Sequence, residues 1–303
     1  MSVKVLLHRG CLMPKPLIRA AQSGRLDDVS ALLNQGADVN CRDTAGKTPL
    51  ICAAAGAHTD AVRLLLEHGA NPNLKAWNED AALICAARNG DTETAKLLIE
   101  FGADIHARGY MGLTPLMWCC LSGQTAMARL LLDSWASIDE EGDDGAAAIT
   151  WAAEEGHWEV IRLLLERHAD VNLRHRRYGV TALIQAARQG QTEAVDMLLQ
   201  KGAEVHGKDY NGRTALHWAC LEGYPDVAKL LLERGARPND QDHRGDTSLH
   251  WAAFKGSEET VRCLLAAGAS SRIKNLDGTT ARDVAARLGH TELLHLFEAA
   301  KGK

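Results

Sequence analysis

"TALHWACLEG", Thr214 to Gly223, returns 33 residues later as "TSLHWAAFKG", Thr247 to Gly256. Alone, the first stretch looks like chemistry, because His217 and Cys220 are three apart and share one face of a helix. In the second copy the histidine and tryptophan persist as His250 and Trp251, but the cysteine has become Ala253. Earlier copies start at Thr181 ("TALIQAARQG"), Ala147 ("AAITWAAEEG"), Thr114 ("TPLMWCCLSG"), Ala81 ("AALICAARNG") and Thr48 ("TPLICAAAGA"). A second marker, "GA", keeps the period at Gly36, Gly69, Gly102, Gly202, Gly235 and Gly268, while Trp135 and His168 fill its two gaps. Self-similarity at this spacing means stacked supersecondary units, none able to bury its apolar face alone.

The grammar of one unit is physical. Asn211-Gly212 is a turn signal. Thr214 is a good N-cap, and in two other copies Pro49 and Pro115 follow the cap at the first helical position. A short alanine-rich helix ends at Gly223, and a second, leucine-faced helix with Pro225 in its first turn ends at Gly235. "ARPNDQD" then extends into the next turn. The expected fold class is all-α, a solenoid of helix-turn-helix units with extended loop or hairpin tips.

The blocks "TPLICAA…LLLEHGANPN" and "TALHWAC…LLLERGARPN" closely resemble the ankyrin repeat. The resemblance implies an N-terminal cap at 16–43 and seven full repeats at 44–76, 77–109, 110–142, 143–176, 177–209, 210–242 and 243–275. A more polar C-terminal cap at 276–303 completes one domain, 16–303, and residues 1–15 read as a loose leader. It also implies that His217 and His250 hydrogen-bond near their capping threonines and tie adjacent repeats together. Cys220 and the neighbours Cys119 and Cys120 fall in alanine slots that suit a small buried thiol. Asn40, Asn73, Asn172 and Asn239 resemble positions hydroxylated in some eukaryotic members.

Bulk composition narrows the function. The chain has 303 residues, 46% hydrophobic and 24% charged, with a formal charge of −5. No basic stripe points to nucleic acid, and no run approaches the ~20 apolar residues of a membrane span. Eight cysteines in a chain long enough to bury its own core read as free thiols in a reducing compartment, cytoplasmic or nuclear. No cysteine–histidine set has zinc spacing, so neither metal nor cofactor is expected. The chain reads as a monomer and not as an enzyme.

Ankyrin proteins commonly bind other proteins through their first helices and loop tips, which line a concave face. The slot after the motif histidine holds Cys52, Cys85, Trp118, Trp151, Gln185, Trp218 and Trp251. Nearby loop tips carry Trp77, Tyr110, Met111, Leu113, Tyr178 and Tyr210, and helix ends add Leu121, Leu221 and Phe254. Tryptophan and tyrosine are the usual anchors of interfaces. Charge segregates as well: Asp133 to Glu159 contains nine acids and no lysine or arginine, and "RHRR" follows at 174–177. Asp143, Asp144, Glu154, Glu155, Arg177, Arg188 and Arg213 therefore join the candidate partner-binding residues. The expected partner is a protein or extended peptide carrying a basic segment. The competing reading, an enzyme or small-molecule receptor, would need a convergent acid/base set, for which Glu154, Glu155 and His157 are the nearest candidates.

Overall fold

A computed structural model describes residues 15–299, so the leader expected at 1–15 lies, Lys15 aside, outside the described residues. Among those residues the chain forms eighteen α-helices and two short 3-10 turns, with isolated β-bridges in place of strands. The helices come in pairs. First helices run Pro16–Gln22, Pro49–Ala55, Ala82–Asn89, Pro115–Leu121, Ala148–Glu155, Ala182–Arg188, Ala215–Glu222, Ser248–Lys255 and Ala281–Leu288. Their partners run Leu26–Asn34, Thr59–Glu67, Thr92–Glu100, Thr125–Asp133, Trp158–Glu166, Thr192–Gln200, Pro225–Glu233, Glu258–Ala266 and Leu294–Ala299. There are nine such pairs among the described residues.

The described residues fall into two compact units, 15–119 with 124–137, and 120–123 with 138–299. The regular sequence period carries no mark of that division. Within each unit, first helices stack on first helices and second helices on second helices. Alanine makes this possible. Ala53, Ala54, Ala86 and Ala87 in one unit, and Ala152, Ala153, Ala186, Ala219, Ala252 and Ala253 in the other, are fully buried. A side chain ending at Cβ lets helix backbones approach closely.

Caps set where each first helix begins. Thr48 and Thr181 accept at Oγ1 from the N–H of Ile51 and Ile184. In the repeats with histidine the box is fuller. Thr214 N–H donates to His217 Nδ1 (3.1 Å), which fixes Nε2 as the protonated nitrogen, and Nε2–H donates to the Asp240 carbonyl (3.1 Å). His250 repeats the arrangement with Thr247 and the Thr279 carbonyl. The expectation that these histidines cap and tie is met.

A second ladder runs along the loops. Asn40, Asn73, Asn172 and Asn239 each donate from Nδ2 to the carbonyl of the next repeat's glycine, Gly69, Gly102, Gly202 and Gly268. Their Oδ1 atoms accept from the N–H two residues beyond that glycine. Those glycines are left-handed, and so are the two residues that replace them: Trp135 has φ 71° and His168 φ 63°.

Candidate functional site

The His217–Cys220 pair is not a reactive site. Both His217 nitrogens are engaged, and burial lowers the pKa of His217, opposed by Asp242 and the Asp240 carbonyl. Burial pushes the Cys220 thiol far above its ordinary range, as it does for Cys120. A nucleophile needs the thiolate, which these surroundings disfavour. Among the described residues no group of His, Cys, Asp and Glu is placed to hold a metal. His157 Nε2 lies 3.2 Å from the Leu121 carbonyl, a main-chain tie like that of His290 to Phe254.

In the second unit the tryptophan column is built into a stack. Asp209 Oδ1 accepts from the N–H of Asn211 and Arg213, closing the tip turn, and its Oδ2 accepts from Trp218 Nε1 at 3.0 Å. Asp242 does the same for Arg244, Asp246 and Trp251 Nε1 at 3.1 Å. The Arg213 guanidinium lies between the indoles, 5.0 Å from Trp218 and 4.3 Å from Trp251, with Nε 3.5 Å from Asp242. Arg188 covers Trp218 from 5.2 Å. Phe254 meets Trp251 edge-on at 5.9 Å. Cation–π contacts of this kind give about 0.5–2 kcal/mol, rising with desolvation. The column is therefore half-buried scaffold with accessible edges, and Arg213 belongs to it.

Trp151 departs from this rule. Its indole Nε1 is buried without an acceptor, because the residue nine positions earlier is Gly142 where Trp218 and Trp251 have aspartates. In the other unit Trp118 has the same defect opposite Gly109. Trp118 packs against Ala81, Ile84 and Ala107, and Arg88, paired with Asp80 at 2.8 Å, lies 4.9 Å from its ring. The chain's own arginine thus lies against this indole, where a cation from a partner's basic segment would have to compete with it.

A cavity of about 550 Å³ opens beside Trp218. It brings together six sequence-predicted residues: Glu154, Arg177, Tyr178, Arg188, Tyr210 and Trp218. It adds His175, Val180, Gln185, Asp209 and Asn211, which the sequence reading did not name as contacts. Gln185 had one signal, its place between tryptophans in their column. His175 had none: its Nδ1 accepts from Arg177 N–H and its Nε2 lies 3.4 Å from Asp144, geometry set by the tip loop. Tyr178 and Tyr210 are both exposed, and Tyr210 N–H donates to the Tyr178 carbonyl, so successive tips are tied. Arg177 lies 5.3 Å from the Tyr178 ring and Arg174 5.8 Å from Tyr210. A second cavity, about 480 Å³, is lined by Trp251 and Phe254 with Arg244, Leu276 and Arg287.

The remaining candidates divide. Trp77, Tyr110 and Met111 are exposed in the first unit, with Arg42 over Trp77. Leu121 and Leu221 are half-buried, and Asp143 and Glu155 are exposed. Leu113 is a correction: at 2% exposure it packs inside the tip and presents nothing to a partner. Asp144 is half-buried and engaged with His175 and the Ala146 N–H.

Comparison with known proteins agrees with this geometry. The family model described as ankyrin repeats (3 copies) matches residues 17–109, 83–175, 151–242 and 237–301. No curated protein matches the sequence. Among solved structures, the crystal structure of the human ASB11 ankyrin repeat domain is similar, at 28% identity and a TM-score of 0.67, over 74% of this chain and 100% of that one. With repeat period, histidine caps and family match in accord along the chain, it belongs to the ankyrin-repeat family, whose repeats are in general protein–protein interaction modules.

Proposed function

We propose that the protein is a non-enzymatic interaction module whose partner, a protein or extended peptide, lies against the tips and first helices of residues 143–275. The observation that carries this is the cavity beside Trp218, rimmed by the exposed tyrosines Tyr178 and Tyr210 with arginines lying over their rings. Aromatics held on a rigid scaffold lose little entropy on binding and make good anchors. The acidic Asp143 and Glu155, exposed in the preceding repeat, favour a partner with a basic segment there. Such rim charges act mainly on association rate and selectivity.

Affinity capture with the intact chain, followed by mass spectrometry, tests the reading. Tyr178→Ala/Tyr210→Ala should weaken the captured partner at least tenfold, about 1.4 kcal/mol, and leave the thermal transition unchanged. Asp143→Lys/Glu155→Lys should slow association and flatten its salt dependence. A partner indifferent to both pairs uses another surface.

A further inference from the structure

The cavity beside Trp218 holds polar groups that the chain leaves unmatched. Asp209 is fully engaged, by the Asn211 and Arg213 N–H groups and the Trp218 indole. Arg177 and Arg188 are not. Their guanidiniums are positioned over Tyr178 and Trp218, and no carboxylate lies within salt-bridge distance of either among the described residues. Gln185 is 7% exposed, and its buried Oε1 has no donor. Buried polar atoms are nearly always paired, so a donor brought by a ligand would relieve this one. Glu154, half-buried, is the one other lining acid; with Asp209 it balances the two guanidiniums in formal charge, but the Asp209 oxygens are turned to the tip turn and the indole.

We propose that this cavity accepts an aspartate or glutamate side chain of an extended partner segment, with Arg177 and Arg188 holding the carboxylate and Gln185 Oε1 accepting a main-chain N–H. The inference rests on the interaction-module reading and deepens it. Guanidiniums lying over aromatic rings are already oriented, so less freedom is lost when they bind a carboxylate. The order of charge adds a constraint on the partner. Asp143 and Glu155 belong to the repeat before Arg177 and Arg188, and packed helices are about 8–10 Å apart. Extended chain advances about 3.3 Å per residue. A lysine or arginine roughly three positions from the acidic residue would therefore meet the acids.

The test is selection of a phage-displayed random decapeptide library on the intact chain, on Arg177→Glu/Arg188→Glu and on Arg188→Gln, each checked for native circular dichroism. Wild type should enrich Asp or Glu at one fixed position, and the double reversal should replace it with Lys or Arg. A synthetic consensus peptide should bind at least tenfold more weakly to Arg188→Gln, and equally so when its own acid is changed to the amide. Gln185→Met should raise the thermal transition while weakening that peptide about fivefold, an opposition that a purely structural glutamine would not produce. Peptides without an acidic preference, or with one that the arginine pair does not control, overturn the inference alone. A phosphoserine binding a hundredfold better than glutamate at that position would overturn the carboxylate assignment. A selection that yields no binder removes the interaction-module reading of this surface as well.

Discussion

Asparagine and aspartate differ by one amide donor, and at residue 139 that difference has a cost. Four asparagines bridge to the next repeat with both ends of the side chain. Asp139 keeps only the acceptor half, taking the Asp170 N–H at 2.9 Å. Burial raises its pKa, and the Asp170 charge adds to this against the lowering effect of the Asp170 N–H. A carboxyl raised in the folded state binds its proton better there than when unfolded, so stability is lost as pH rises through its titration. Asp139→Asn should restore a bond to the His168 carbonyl and gain about 1 kcal/mol at pH 7. The gain should narrow as pH falls toward the ordinary aspartate value of about 3.9 and stay level below it, where the wild-type carboxyl is protonated in both states. Urea melts at both pH values check this, and a gain that did not depend on pH would contradict it. Gly142 is a parallel case. Its N–H donates to the Ala146 carbonyl as Asp209 and Asp242 donate to Arg213 and Asp246, so the turn is ready for an aspartate. Gly142→Asp should cap that turn, give Trp151 Nε1 its acceptor and stabilise by about 1 kcal/mol. No gain would show that the indole is misaligned for that slot. Neither residue's role was legible from its type alone, but both stand out once the repeats are in register.

The first helices depend on their caps, and the cap at His217 is sensitive to pH. His217 has its pKa lowered, chiefly by burial, so its neutral form is the folded form. Stability is present above the ordinary histidine value of about 6.5 and is lost as pH falls from there toward the depressed folded value. Replacing it with isoleucine, as Ile51, Ile84 and Ile184 occupy the slot elsewhere, should lower stability at pH 7.5 and flatten the decline between pH 7 and 5. A decline of unchanged slope in His217→Ile would assign the acid sensitivity to other groups. The end of Thr125–Asp133 shows the opposite economy. Trp135 is left-handed and 87% exposed, so it bears strain of roughly 1 kcal/mol with little burial in return. Trp135→Gly should gain about that much and slow amide exchange over 125–135. Faster exchange there would mean that the indole supports the helix end.

Across the molecule, stability is a sum of neighbour-to-neighbour terms, so it should vary along the stack. Within 138–299, the helices 215–222 and 248–255 have stacked neighbours on both sides and a histidine tie to the next repeat. Native-state amide exchange should be slowest there and fastest in 294–299. Uniform protection across that range would mean that this unit opens all at once rather than locally.

The 33-residue period, the caps, the alanine slots and the left-handed positions at Trp135 and His168 are all determined by the sequence itself, because each follows from a residue's own backbone preference or from its place in a repeating register. The same register found Tyr178, Tyr210, Arg188 and Trp218 as one side of the molecule. Only the tertiary structure decided which of these residues already have partners. Arg213 is held between two indoles and Asp209 by one indole and two N–H groups, whereas Arg177, Arg188 and Gln185 Oε1 remain unmatched. Hydrogen bonds and ring contacts between repeats depend on distances of a few ångströms between residues about 30 apart, and a periodic pattern fixes which residues are neighbours without fixing which of them touch.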